Sequence, residues 1–167
     1  MKAATIHELK RQLNACDHKL LLFFCLRLAK FKKENKELLT YLLFEADDEE
    51  GYIASVKREI EAMMEEANKP SLYLTKKSVR KTIRILDKFI RYSGEKETEV
   101  ELRLFLCEQM KQNRIPLSRS RVLTKIFEGQ IKKINTALSK LHEDLQYDYR
   151  IEMSERLGID PPPDFSF

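Results

Sequence analysis

Apolar residues recur at three- and four-residue intervals along almost the whole chain, and no stretch longer than a few residues alternates as a half-buried strand would. That periodicity confines the chain to an all-α fold. Four glycines and five prolines among 167 residues leave few places where a helix must stop, and 35% charged against 43% hydrophobic residues is the balance of a helical protein in water. One domain of ordinary size is the expectation, covering residues 1–158, with 159–167 as a proline-rich tail.

Six or seven helices can be placed from caps and breaks. Thr5 and Glu8 form a capping box, Asp17 caps a second helix, and Asp47 with Glu50 opens a fourth. The second helix carries Leu20 to Leu26, seven apolar residues pointing in every direction, and is expected at the centre of the core. Leu38, Leu39, Tyr41, Leu42, Leu43 and Phe44 make the third largely buried as well. Thr75 is the expected cap of a fifth helix that closes at Gly94, and a sixth runs from about Lys96 to Gln112. The seventh repeats Phe127, Ile131, Ile134, Leu138, Leu141 and Leu145 in a near-heptad, extending toward Gly158.

Ala29-Lys30-Phe31 and Ile90-Arg91-Tyr92 are each followed by a charged linker and an apolar helix, about sixty residues apart. In this succession of hairpins the chain resembles the HEAT and armadillo class of helical repeats, without their signature residues. The resemblance implies a short curved stack; an irregular bundle is the other architecture open to the sequence.

Reaction chemistry leaves little trace. His7, His18 and His142 have no second ligand at metal-binding spacing, the glycines are too isolated to cradle a phosphate, and no nucleophile elbow surrounds a serine. The acidic run Asp47 to Glu50 suits a helix N-terminus better than a cation. The residues point away from an enzyme, with no metal, cofactor or small-molecule substrate implied, while a catalytic site assembled from residues distant in sequence would leave no spacing signal. Cys16, Cys25 and Cys107 read as buried thiols of a reducing compartment. With no apolar run near twenty residues and no secretion signal at the start, a cytoplasmic address without membrane association is expected.

Charge is distributed unevenly. Residues 71–140 hold 17 basic and 7 acidic groups, a net +10, while 141–167 carry a net −5. On the fifth helix Lys77, Arg80, Lys81, Arg84, Lys88 and Arg91 fall within about a third of the circumference, with Asp87 the helix's only acid. Lys111, Arg114, Arg119 and Arg121 crowd the next inter-helix connection and are placed to extend that stripe. A stripe of this kind is either a solvated face or a surface for an acidic protein partner, the chain's own acidic end, or the phosphates of a nucleic acid. No aromatic interleaves the stripe, which argues against base stacking on it.

The functional expectation is therefore an interaction module of the scaffold or adaptor kind, with nucleic-acid binding through the stripe as the alternative. Self-association into a homodimer is expected through the near-heptad seam and the tail, whose Phe165 and Phe167 either fold back onto the domain or dock into a partner or a second copy.

Overall fold

A computed structural model describes residues 2–159, so the expectations for the tail, Phe165 and Phe167 included, lie outside the described residues. Every regular element among them is an α-helix: α1 Ile6–Asn14, α2 His18–Phe31, α3 Lys33–Phe44, α4 Glu49–Glu65, α5 Leu72–Ser93, α6 Lys96–Gln112, α7 Arg121–Leu138 and α8 Glu143–Leu157. The all-α expectation holds. The count of six or seven is corrected to eight, because the long seventh helix is two: α7 ends at Leu138 and His142 caps α8. None of these helices is long and apolar enough to cross a membrane.

Local chemistry sets most of the boundaries as the residues suggest. The Thr5–Glu8 capping box forms in full, and Asp17 accepts from the Leu20 amide. Gly94 and Gly158 close α5 and α8 with φ of 75° and 59°, in the left-handed region where a side chain would be strained. Two caps are corrected. Asp48, not Asp47, accepts from Gly51 to start α4. The cap of α5 is Ser71, not Thr75; Thr75 is buried one turn in, its hydroxyl bonded to the backbone of Lys69.

The contacts divide the chain at Glu45 and Ala46 into two compact units. In the first, α2 and α3 are joined through Lys32 alone and pack as a hairpin. This hairpin overturns the expected position of the core. No residue of α2 is buried, and Leu22 (52%), Phe23 (53%), Leu28 (61%) and Phe31 (76%) are widely exposed. Tyr41 alone is buried on α3, where Leu42, Leu43 and Phe44 face solvent. An all-round apolar helix invites burial on every side, but α2 finds one packed neighbour in its unit.

The second unit is built around α6, which packs against α4, α5, α7 and α8. Val100, Leu102, Leu104, Leu106, Cys107 and Met110 are fully buried around its circumference. Val100, Leu104 and Cys107 join Ile134, Ala137, Leu138, Tyr149, Met153 and Leu157 in one cluster, against which Phe127, Ile131, Leu141 and Leu145 pack. The near-heptad seam is thus consumed inside the unit. Val56, Ile60 and Met64 of α4 and Val79 and Leu86 of α5 are buried as well. Of the cysteines only Cys107 fits the expectation of a buried thiol: burial pushes it up to about 12, against a smaller opposing pull from Arg103. Cys25 is exposed and Cys16 half-buried.

Candidate functional site

Both α5 and α7 rest on α6, and a groove of about 700 Å³ runs between them. The α5 wall carries Tyr73, Lys77, Arg80 and Arg84, at spacings of four, three and four, so all four project from one face. The α7 wall carries Lys125, Gly129, Gln130 and Lys133, and Ile83 and Ile126 add apolar surface. Lys77, Arg80, Arg84 and Lys125 are exposed and form no ion pair among the described residues. Four cations on two facing walls, without acids to neutralise them, make the groove strongly positive.

The lone acid of α5 is engaged below. Arg103 of α6, 4% exposed, donates through Nη1 to Asp87 Oδ1 and to Gln130 Oε1, both at 2.8 Å, and through Nε to Glu99 Oε1 at 3.0 Å. Lys133 reaches Asp87 at 3.4 Å, and Lys96 binds Glu99 at 2.8 Å. Arg103 therefore braces α5, α6 and α7 together from beneath the groove. Burial alone would raise the Glu99 carboxyl, but hydrogen bonds and charge from Lys96 and Arg103 outweigh it and hold the group below its ordinary value.

A second depression, about 370 Å³, adjoins the groove and is lined by Lys96, Glu99, Lys132, Thr136, Ala137 and Lys140. Gly129 and Lys133 belong to both.

The expected stripe is split by this geometry. Lys77, Arg80 and Arg84 come together in the groove, whereas Lys81, Lys88 and Arg91 are not among its walls. The Lys88 ammonium lies 4.9 Å from the Phe89 ring centroid and 5.8 Å from that of Tyr92. Nor do the cations of the connection after α6 extend the stripe. Lys111 donates to the Leu157 carbonyl, and Arg114, Arg119 and Arg121 lie outside both depressions.

Lysines of α7 take that place, and the sequence signal for them was the same helical spacing, applied to the polar side of the near-heptad. Tyr73 was hidden by the misplaced N-terminus of α5. Starting the helix at Leu72 brings Tyr73 one turn ahead of Lys77, with 69% of its surface exposed.

Among the described residues no group of three or more His, Cys, Asp or Glu side chains is placed to hold a metal ion. Glu49 of the acidic run accepts from the Ser93 and Thr98 hydroxyls and so ties α4 to the α5–α6 junction. Compared with known proteins, the chain matches no family model, no curated protein and no solved structure.

Proposed function

We propose that the protein is a non-catalytic interaction module, an irregular helical bundle that takes an anionic macromolecule into the groove between α5 and α7. One observation carries this reading: Lys77, Arg80 and Arg84 face Lys125 across the groove with no acidic partner for any of them. Cations clustered on facing walls repel one another, a cost that an incoming polyanion converts into attraction.

Retention on an immobilised sulfated polysaccharide tests the reading. Wild type should bind at low salt and elute as salt screens the contact. Reversing Arg80, Arg84 and Lys125 to Glu should abolish retention, while reversing Lys10, Arg11 and Lys19, an equal change in net charge, should not. Equal behaviour of the two triple variants, or no retention of wild type, would remove the groove as the site.

A second reading follows from the first unit. Leu22, Phe23, Leu26, Leu28 and Phe31 of α2 and Leu42, Leu43 and Phe44 of α3 are all exposed, many large apolar side chains for a monomer to leave in water. A second copy of the chain offers the same apolar surface, and a two-fold contact pairs it with itself. Replacing Phe23 and Leu28 with Asp should shift the mass measured by light scattering from dimer to monomer. A wild type that is already monomeric at high micromolar concentration would end this reading.

A further inference from the structure

We propose that the groove between α5 and α7 is a binding site for single-stranded nucleic acid, its cationic walls following the phosphodiester backbone and Tyr73 stacking on a base. The inference rests on the reading of the groove as a polyanion site and names the chemistry of its ligand.

Three features separate a nucleic-acid strand from an acidic peptide. The first is Tyr73, which stands at the groove 69% exposed and in line with Lys77, Arg80 and Arg84. Single-strand sites combine a cationic track with such aromatic platforms, on which bases stack. Ile83 and Ile126 supply further apolar surface against which a base or sugar can lie.

The second feature is Gln130. It is 4% exposed yet lines the groove, and its Oε1 accepts from the Arg103 guanidinium, which can only donate; that contact fixes which way the amide points. Its Nε2 then has no acceptor among the described residues. That nitrogen is not among the buried polar atoms left unsatisfied, so it reaches solvent and is open to donate to an incoming oxygen. A phosphate oxygen or a base carbonyl lying in the groove supplies one.

The third is Gly129. In the interior of α7 a glycine costs about 1 kcal/mol relative to alanine. Packing does not require it, because a Cβ at this position would meet nothing within 4 Å. What the missing side chain does is leave bare backbone where the two depressions meet. Basic side chains thus line both depressions, Lys77, Arg80, Arg84 and Lys125 in the first and Lys132 and Lys140 in the second, with Lys133 paired to Asp87 and Lys96 to Glu99 between and beside them. From Lys125 to Lys140 that lining runs about 20 Å at the helical rise. A concave track of that kind accepts a single strand; reading a duplex calls for an element that projects into its groove.

Anisotropy of a fluorescent fifteen-nucleotide oligothymidylate, titrated with the full chain at low salt, tests the proposal. Wild type should bind, with the logarithm of affinity falling linearly against the logarithm of salt concentration. Tyr73→Ala should weaken binding about 5- to 100-fold. Arg84→Gln should weaken it and reduce the salt slope by about one. Gly129→Ala should not lower the melting temperature, since a Cβ there meets nothing within 4 Å and adds helix propensity, and Gly129→Leu should reduce affinity by blocking the track.

Several results would overturn the proposal. Binding of polyglutamate or the sulfated polysaccharide but not of the oligonucleotide would refute it while leaving the groove a polyanion site; failure to bind any of the three would remove both readings. Equal affinity for a duplex, or oligonucleotide binding indifferent to Tyr73→Ala and Gly129→Leu, would also refute it. So would binding that appears only when residues 160–167 are deleted, which would make the chain's own acidic end the occupant.

Discussion

Leu104→Ala should lower the free energy of unfolding by about 2 to 5 kcal/mol, whereas Leu22→Ala should change it by less than about 1 kcal/mol. Leu104 has no exposed surface and packs in the cluster that α6 forms with α7 and α8, so truncation loses apolar burial and leaves a cavity. Leu22 is 52% exposed, and little of its surface returns to water when it is shortened. Urea unfolding followed by circular dichroism reads both values. A larger loss at Leu22 than at Leu104 would move the centre of the fold back to α2.

The contrast between these two helices explains how much of the fold can be read from the residues. Periodicity, the Thr5–Glu8 box, the Asp17 cap and the glycine stops gave element type and most ends correctly, because each depends on neighbours within a turn. Hydrophobicity misled about the centre. By composition α2 is the more apolar helix, yet α6 is the buried one, with Thr98, Arg103 and Gln109 inside it alongside the aliphatic residues. Those polar groups are tolerable in the core because Glu49, Glu99, Asp87, Gln130, Gln112 and Asn113 meet them. Partners that arrive from α4, α5 and α7 leave no local signature on α6.

The groove was half legible for the same reason. Angular spacing along α5 identified three of its cations, and the same spacing along α7 identifies its lysines once that helix is known to lie opposite. Nothing local says that these two helices share α6 as a floor. The N-terminus of α5 was obscured by Thr75, a good cap residue whose hydroxyl instead satisfies Lys69 in the turn before the helix. An error of four residues in the cap there concealed the exposed Tyr73 at the groove.

Arg103 ties the core to the groove, and its removal should have the second large effect. Arg103→Met keeps the volume of the aliphatic stem but leaves Glu99 and Asp87, whose side chains are 14% and 28% exposed, without their shared donor. Breaking one partner out of such a network should cost about 3 to 5 kcal/mol at neutral pH. The loss should depend on pH in a definite direction. In the native protein Glu99 is held below its ordinary value, so its contribution to stability is present above the ordinary carboxylate range and is lost as pH falls through the lowered one. Without Arg103 the opposing effect of burial gains weight and Glu99 binds its proton at higher pH, which relieves the unpaired charge. The gap between wild type and variant should therefore narrow as the solution is acidified toward the ordinary glutamate range. Adding Glu99→Gln to the variant should recover part of the loss at neutral pH, because it removes one of the stranded charges. Gln130 loses its anchor in the same variant, so oligonucleotide affinity should fall even at temperatures where the helices remain intact. A pH-independent difference with no recovery in the double variant would show that Arg103 acts through packing alone, and would separate the brace under α5, α6 and α7 from the chemistry of the groove above it.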